Sequence, residues 1–167
     1  MKRLGYKFFH RPCLEVAREL VGKVLVHETE KGILTMRISE TEAYCGEGDT
    51  ACHAHKGRTA RTEVLYAQAG TVYVYLCYGI HWLLNIVTGE KEQPEAVLIR
   101  ACVDAPGPGR LTKAMGITGA FNRENVCDGK LWIADDGYAC NVRTDKRVGI
   151  AYASEEDRAR LWRFILE

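Results

Sequence analysis

The feature that most limits how this chain can fold is a strict alternation of apolar and polar residues between Ile33 and Tyr44. The even positions carry Leu34, Met36 and Ile38, and the odd positions that follow Ile33 are polar up to residue 41. A period of two places successive side chains on opposite faces of a β-strand. The alternation therefore predicts a long strand with one face packed against a core.

Two glutamates lie further along the same strand. If the parity continues, Glu40, Glu42 and Tyr44 fall on the face that carries the apolar side chains, so the strand would aim two carboxylates inward. Carboxylates are almost never buried without a partner. One interpretation is a strand that ends at the edge of the core and leaves both glutamates solvated. The other is an inward carboxylate at a functional site, and the pattern alone leaves both open.

The whole chain predicts an α+β fold with a single domain, residues 1–167, in which short helices pack around a curved, mostly antiparallel sheet. Its 167 residues and 47% apolar content suit one core and are too few for two ordinary domains. Apolar stripes that follow a proline and end at a glycine predict helices, and β-branched or aromatic runs between glycines and prolines predict strands. The predicted helices are 12–22 and 107–116, and the predicted strands are 24–27, 33–42, 72–77, 82–87, 96–103, 131–133 and 148–151.

The segment 46–62 is polar, contains glycine and has no sustained period, so it predicts a long loop. Loops of that length inside a compact domain are often functional. The loop also holds a cluster of basic residues, whereas the chain as a whole is nearly balanced, with 23 Lys and Arg against 22 Asp and Glu. A strongly basic nucleic-acid-binding surface is therefore not expected, and any such site must be local. The cluster comprises His53, His55, Lys56, Arg58 and Arg61.

Cysteine usage and hydropathy indicate the compartment. The seven cysteines are odd in number and include no C-x-x-C pair, which favours free thiols in a reducing environment. No apolar run is long enough to cross a bilayer. We therefore expect a cytoplasmic protein, associated with the nucleoid if it binds DNA, and no membrane partner.

Metal and nucleotide cofactors find little support in the sequence. His53 and His55, with Cys45 and Cys52 nearby, are possible zinc ligands, but their spacing fits no common zinc site and the deaminase pattern is absent. The chain also lacks a Walker loop, a G-x-G-x-x-G motif and a G-x-S-x-G motif. The sequence predicts no metal ion and no cofactor.

Aromatic residues cluster in and after the predicted strand 72–77. Tyr73 and Tyr75 share one face of it, where they could belong to the core or form a platform on which a base stacks. Tyr78 stands beside Gly79 at a predicted turn, where its ring would project from the surface. The pattern leaves the role of the tyrosine pair open.

Several ordered segments of the chain resemble the alkyladenine DNA glycosylase family, the methylpurine glycosylases, and the resemblance covers nearly the whole sequence. Several motifs in the same order are far more specific than one short pattern. The resemblance favours a functional site at Glu42 over a solvated strand end. The matching segments are Arg37 to Tyr44, Asp49 to His53, Gly57 to Arg61, Gly70 to Gly79, Val97 to Ala101 and Gly107 to Ala114.

The resemblance implies a monofunctional DNA glycosylase of base excision repair, a hydrolase that flips an alkylated or deaminated purine out of duplex DNA and cleaves its N-glycosidic bond. The implied substrates are 3-methyladenine, 7-methylguanine, hypoxanthine and ethenoadenine. The implied partner is double-stranded DNA that contains damaged purines, and this kind of site needs only a monomer. No lysine stands in the matched pocket motifs, so hydrolysis without a Schiff base or strand cleavage is expected.

The resemblance also implies a role for each matched residue. Glu42 resembles the general base that activates water, and Arg100 matches the arginine that helps to hold that water. The remaining matches concern the base and the DNA: Tyr44, His53 and Tyr75 as walls of the base pocket, Asn85 as its floor, Tyr78 as the wedge that enters the stack, and Arg58 and Arg61 as contacts to the DNA backbone.

Two other functions remain open at this point. A lesion-binding module without catalytic activity could use the same pocket, although it would not need a carboxylate beside the sugar. A hydrolase of nucleosides or RNA would not need a wedge such as Tyr78.

Overall fold

The long strand predicted from the alternation organises the whole molecule. In the computed structural model, which describes all residues from 1 to 167, it is β3, Gly32–Tyr44. Its first half pairs with β2, Val24–Thr29, and its second half pairs with β6, Glu95–Cys102, on one edge and with β9, Arg163–Leu166, on the other. All of these pairings are antiparallel. The second half of β3 is therefore the centre of the sheet.

The remaining strands extend the sheet on both sides. Nine strands take part, in the order β1, β7, β2, β3, β6, β5, β4, with β8 paired to β9. All the strand pairs are antiparallel and four short helices surround them, which confirms the predicted α+β class with a mostly antiparallel sheet. The other strands are β1 (Lys2–Arg3), β4 (Val72–Cys77), β5 (His81–Thr88), β7 (Leu131–Asp135) and β8 (Val142–Asp145), and the helices are α1 (Tyr6–Phe9), α2 (Cys13–Leu20), α3 (Pro108–Met115) and α4 (Glu155–Ala159).

Helices α2 and α3, both predicted from the sequence, contribute to the same hydrophobic core. Leu20 of α2 and Leu111 of α3 are fully buried in one cluster with Ile99 of β6. Burial of such side chains contributes about 1.5–3 kcal/mol each. Gly116 ends α3 in a left-handed conformation, as expected for a glycine at a helix C-terminus. No helix in the structure is both long and apolar enough to span a lipid bilayer.

The parity predicted for β3 is wrong beyond Ile38. The pairing of β3 with β6 shifts register on both sides of Glu40, as at a β-bulge, and a bulge reverses the face on which the later side chains lie. Ala43 packs in the same core cluster as Ile38, and the Thr41 hydroxyl donates to the carbonyl of Ala17 in α2 at 2.6 Å. Glu42 therefore points away from the main core.

The strand predicted at 148–151 is also wrong. That segment is an irregular turn, in which Gly149 has a φ of +75° that a strand does not use. The last strands of the chain are instead β8 and β9. Each has only four residues, one of which is an arginine. Such strands give no clear alternation, and the sequence did not predict them.

Candidate active site

The candidate site is built on one cross-strand row of the sheet. Tyr73 of β4 lies opposite Asn85 of β5, and Asn85 lies opposite Leu98 of β6. Leu98 in turn lies opposite Glu42 of β3, whose other neighbour is Arg163 of β9. Directly opposed residues share one face of a sheet. The row therefore sets Glu42 and Asn85 on a common surface, away from the main core.

The Glu42 carboxylate is completely buried and fully engaged. Its exposed fraction is 0%. Oε1 accepts a hydrogen bond from the Tyr44 hydroxyl at 2.8 Å, and Oε2 accepts one from the Val148 backbone N–H at 2.7 Å. The Arg100 Nε lies 3.7 Å from Oε2. These partners offset the cost of burying a charge, so the carboxylate can remain ionised inside the protein.

The pKa of Glu42 reflects two opposing influences. Desolvation by burial is the larger and raises the pKa above its ordinary value. The Arg100 charge and the hydrogen bonds from Val148 and Tyr44 oppose the rise because they stabilise the ionised form. Burial and the neighbouring Glu42 also hold the pKa of Tyr44 well above its usual range, so the phenol stays protonated and able to donate.

An irregularity in β6 directs Arg100 toward the two glutamates. Successive partners along β3, Glu40 and Thr41, oppose Ala101 and Ile99, so Arg100 is the extra residue on β6. Bulges often redirect a side chain next to an active site. The Arg100 Nε lies 3.9 Å from a Glu40 oxygen as well as close to Glu42. Glu40 is only partly buried, so the bulge leaves Glu42 as the carboxylate in the dry position.

Four residues predicted to bind a base do lie together. Tyr44, His53, Tyr75 and Asn85 all line one pocket. The rings of His53 and Tyr75 contact each other, with centroids 4.6 Å apart and planes at 63°. Tyr44 lines the pocket without pairing with either ring, and it also lines the cleft that contains Glu42 and Arg100. The pocket thus has aromatic surfaces suited to a planar heterocycle, next to the buried carboxylate.

His53 is held in place by a tyrosine from the sheet. Its Nδ1 lies 2.9 Å from the Tyr73 hydroxyl, within hydrogen-bonding distance. Desolvation lowers the pKa of His53 to about 4, helped by the charges of Arg61 and Lys56, so the ring is neutral near pH 7. His53 also begins a 3-10 turn, His53–Lys56, and the first N–H groups of a helical turn have no partner within it. Its backbone N–H is therefore available to a ligand.

Asn85 lies at the bottom of the pocket and is almost completely buried. Its Nδ2 donates to the Tyr73 carbonyl at 3.3 Å and to the Leu83 carbonyl at 3.5 Å. Both distances are long for hydrogen bonds of this type. The amide is therefore held weakly in the wall of the pocket.

Tyr78 projects from the tip of the β4–β5 hairpin. Its side chain is among the most exposed of the large hydrophobic residues, at 90%. Tyr78 and Gly79 have φ of +52° and +67°, and the Ile80 N–H donates to the Cys77 carbonyl at 3.0 Å. Positive φ at both central residues is the hallmark of the mirror-image turns that close two-residue hairpins. A tyrosine there is strained, since such turns favour asparagine or glycine.

The two arginines predicted to contact DNA have different surroundings. Arg61 lies over the Tyr75 ring, 5.2 Å from its centroid, and lines an open cleft with His55 and Lys56 next to the base pocket. Arg58 is ion-paired with both Glu63 and Glu92 and lines none of these cavities. The structure therefore brings Arg61, and not Arg58, to the mouth of the pocket.

The residues considered as zinc ligands do not converge. The Nδ1 of His55 lies 2.8 Å from the Glu47 carbonyl, and that of His53 faces Tyr73. No group of three or more His, Cys, Asp or Glu side chains is arranged to hold a metal ion.

Sequence reasoning missed the segment that closes the site. Besides Val148, it contains Tyr152, which lines the base pocket and both adjoining clefts, and whose hydroxyl donates to the Ala51 carbonyl at 2.8 Å. The incorrect assignment of 148–151 as a strand concealed this contact. Backbone donors such as the Val148 N–H carry no residue-type signal, so only the folded structure reveals them.

The site as a whole combines a buried carboxylate, a group that can serve as a general base, with an adjoining pocket lined by aromatic rings. The chain belongs to the methylpurine-DNA glycosylase family, whose model matches residues 7–105 and 103–167. A relative from Desulfitobacterium hafniense is 42% identical over 196 positions, which cover 100% of this chain and 96% of the relative. Relatives from Methanocella arvoryzae and Borreliella afzelii are 44% and 40% identical over 98% and 96% of this chain and 92% and 94% of their own lengths. All three carry the provisional name 3-methyladenine DNA glycosylase.

The two matched parts of the family model meet at a tight turn in this chain. Residues 103–105 lie in the connection between β6 and α3, where the Cys102 N–H and the Ala105 carbonyl are 3.0 Å apart. The alignment with the Desulfitobacterium relative is longer than the 167 residues present here, so that relative has residues that this chain lacks. The short connection still brings the start of α3 into the cleft that Arg100 lines.

Proposed function

We propose that this protein is a monofunctional DNA glycosylase of base excision repair, which extrudes an alkylated or deaminated purine from duplex DNA and hydrolyses its N-glycosidic bond. The observation that carries the proposal is the buried Glu42 carboxylate, held by Tyr44, Val148 and Arg100 at the edge of an aromatic pocket. A module that only binds lesions has no use for such a carboxylate, because burying a charge is costly. Family membership supports the same conclusion.

Extrusion of the base is the first step of the proposed reaction. The sugar carbon that carries the base cannot be attacked while the base is stacked in the duplex. Extruding the base costs on the order of a few kcal/mol, because stacking and pairing are lost. Base stacking on aromatic side chains returns about 1–3 kcal/mol per base, and the rings of Tyr44, His53 and Tyr75 line the pocket that would receive the base. Tyr78 would fill the gap that the nucleotide leaves, as wedges do in other proteins that unstack DNA.

Hydrolysis follows from the position of Glu42. As the sugar–base bond breaks, Glu42 takes a proton from a water molecule that attacks the anomeric carbon, and the oxygen of that water ends on the sugar. Arg100 favours the ionised form of the carboxylate and can help to hold the water. No lysine lines either the base pocket or the cleft around Glu42, so a Schiff base with the sugar is not expected. The product is an abasic site in an intact strand.

The pocket suits cationic bases such as 3-methyladenine and 7-methylguanine. The low pKa of His53 keeps that ring neutral near pH 7, so the ring does not repel a positively charged purine. Aromatic faces attract cations, which adds to the stacking energy. Neutral lesions such as hypoxanthine and ethenoadenine lack this attraction and leave less readily, so we expect them to be excised more slowly.

Release of free base from defined oligonucleotides tests the proposed function. The panel contains 3-methyladenine, 7-methylguanine, hypoxanthine or ethenoadenine in duplex DNA, each matched by an undamaged duplex, a single strand and the free nucleoside. We expect free base only from lesion-containing DNA, together with an abasic strand that breaks only on later treatment with alkali. Tight lesion binding without release would indicate a binding module, and hydrolysis of free nucleosides would indicate a nucleoside hydrolase.

Replacement of Asn85 with serine is expected to relax substrate selection. A larger pocket end would accept the exocyclic amine of guanine, because a shape filter rejects a substrate by steric conflict and unpaired polar groups. We expect the single-turnover rate on guanine to rise relative to the rate on hypoxanthine. Asn122→Ser is a matched control, since Asn122 accepts from the Val74 N–H and does not line the base pocket. An unchanged ratio in the Asn85 variant would rule out this role.

A further inference from the structure

A buried ion pair lies behind the candidate site. The side chain of Arg147 is 0% exposed, and its Nη1 and Nη2 donate to the two carboxylate oxygens of Asp49 at 2.6 and 3.0 Å. The same guanidinium donates to the carbonyl of Ala43 at 3.0 Å and to that of Asp157 at 3.3 Å. Paired, doubly hydrogen-bonded geometry of this kind is the strongest that an arginine makes.

Asp49 extends this connection into the loop that carries His53. Its carboxylate also accepts the Cys45 N–H at 3.0 Å and the Ala51 N–H at 3.1 Å. Arg147 therefore joins the end of β3, the loop beyond it and the middle of α4. Two of these segments lead to parts of the candidate site, because β3 carries Glu42 and the loop leads to His53.

The position of Arg147 in the chain gives the ion pair a more specific consequence. The next residue, Val148, supplies the backbone N–H that Oε2 of Glu42 accepts at 2.7 Å. The residue that Arg147 holds through its carbonyl, Ala43, follows Glu42 directly. The donor of that hydrogen bond, Val148, is the neighbour of Arg147 in the chain, and the acceptor, Glu42, is the neighbour of Ala43, whose carbonyl the guanidinium binds.

We propose that Arg147, through its ion pair with Asp49, is a positioning residue that holds the Val148 N–H against Glu42 and so sets the orientation of the catalytic carboxylate. This inference rests on the proposed function for its effect on catalysis. Its structural part, the support of Glu42, can be measured without activity.

Lysine could not replace arginine in this role. The guanidinium also lies between two rings, 5.0 Å from the centroid of Tyr44 and 4.8 Å from that of Trp162. A planar guanidinium can stack on rings while it donates to several acceptors in its plane, whereas an ammonium is a compact charge without a fixed fork. Arg147→Lys therefore separates the geometry of this group from its charge.

The ionisable groups near Glu42 come from several elements, and their charges bear on the test. Arg100 and Tyr44 contact the carboxylate directly, Arg147 acts on it through space, and Glu42 itself raises the pKa of Tyr152. Glu40 lies on the same strand and shares Arg100 with it. Apart from Arg147, all of these groups remain in the Arg147 variants. A change in the titration of Glu42 can then be attributed to Arg147 and to the N–H donor that it positions.

The experiment compares Arg147→Lys, Arg147→Gln and Asp49→Asn with a matched control, Arg160→Gln. Arg160 also stacks on Trp162, at 4.8 Å, and also pairs with a carboxylate, but it is partly exposed and does not contact Ala43 or Asp49. Asp49→Asn keeps the volume of the side chain and leaves Arg147 in place, so it provides a test if the arginine variants fail to fold.

Two measurements are made on each folded variant. The first is the single-turnover rate of base release from 3-methyladenine or hypoxanthine DNA across pH. The second is a ¹³C NMR titration of the Glu42 carboxyl carbon in protein labelled at glutamate, which needs neither DNA nor activity. Arg147→Lys keeps the charge, so a change in that variant reports the loss of geometry.

We expect the Arg147 and Asp49 variants to lose roughly 10- to 100-fold in rate, as misplacement of a catalytic group by about an ångström does. In the Arg147 variants we also expect the titration of Glu42, and the rise of rate with pH, to move to higher pH, while Arg160→Gln matches the wild type in both. An unchanged Glu42 titration in folded Arg147→Lys and Asp49→Asn would overturn the inference. A shifted titration in the variants, beside a wild-type protein that releases no base from any lesion, would leave the inference standing and overturn the proposed function.

Discussion

Replacement of Glu42 with glutamine is expected to abolish base release while it leaves lesion binding intact. Glutamine keeps the size of the side chain, and its single oxygen can accept from the Val148 N–H while its NH2 group donates to the Tyr44 hydroxyl oxygen, but it cannot take a proton from water. A general base contributes about 10²–10⁴-fold to rate. The single-turnover rate on hypoxanthine DNA should fall by a factor in that range, and the dissociation constant for lesion DNA, measured alongside, should change little.

Glu40 provides the matched control for this prediction. It is a carboxylate on the same strand and lies 3.9 Å from the same arginine, but it is 26% exposed in its side chain and pairs with Arg163 at 3.4 Å. Glu40→Gln removes partly exposed ion pairs, which typically contribute about 0–1 kcal/mol. Its rate should therefore stay within a few-fold of the wild type, roughly the factor that such an energy allows. A dead Glu40→Gln protein beside an active Glu42→Gln protein would reverse the assignment.

The rate of the wild-type enzyme should rise with pH through the pKa of Glu42 and then level off on a cationic substrate. The base must be ionised to act, and burial raises its pKa above the ordinary value, so activity is lost at a higher pH than for an exposed glutamate. A neutral lesion that also needs protonation of the leaving base would give a bell-shaped profile instead. A rate that falls steadily with pH on 3-methyladenine DNA would contradict this role of Glu42.

Replacement of Tyr78 with asparagine is expected to change stability and activity in opposite directions. Asparagine tolerates the positive φ of this turn better than tyrosine, and Asn-Gly is a preferred pair in such hairpins. Relief of the strain should raise the free energy of unfolding by about 1 kcal/mol. The loss of the wedge should lower the flipping equilibrium, and with it the rate, by roughly 10- to 100-fold, since stacking of a base on a ring is worth about 1–3 kcal/mol.

Denaturant unfolding and the fluorescence of a base analogue at the lesion measure the two effects separately. Tyr78→Phe is the control, because it keeps both the ring and the strained backbone and should resemble the wild type in both measurements. An asparagine variant that flips the analogue as well as the wild type does would show that another residue fills the gap. A variant that is no more stable would show that the turn stores no strain.

The sequence predicted the sheet and its two longer helices because their patterns are local. Alternation in β3 and the proline and glycine that bound α2 and α3 act within a few residues. The short strands β8 and β9 have no such pattern, because β9 depends on long-range pairing with β3 and β8 depends on pairing with β9. The same distinction explains why 148–151 was wrongly assigned, since its apolar residues serve the site and not a strand.

Glu42 was predicted to point inward, and it is buried, but for a different reason. Strict parity would have placed it in the main core with Ile38, where a carboxylate has no partners. The bulge at Glu40 turns the Glu42 side chain to the other face of the sheet. There the carboxylate contacts Arg100, Tyr44 and the Val148 N–H. Register shifts depend on how two strands meet, so alternation within one strand could not reveal this one.

The row from Tyr73 to Arg163 has a consequence for how enzymes of this kind can change. Glu42 and Asn85 are separated by the single strand that carries Leu98, which puts their backbones two strand spacings apart, about 9–10 Å. The group proposed to break the bond and the group proposed to choose the base therefore occupy separate positions on one rigid support. Substitutions at and around Asn85, in evolution or in laboratory libraries, can therefore change which lesion is bound while the position of Glu42 in the sheet stays the same.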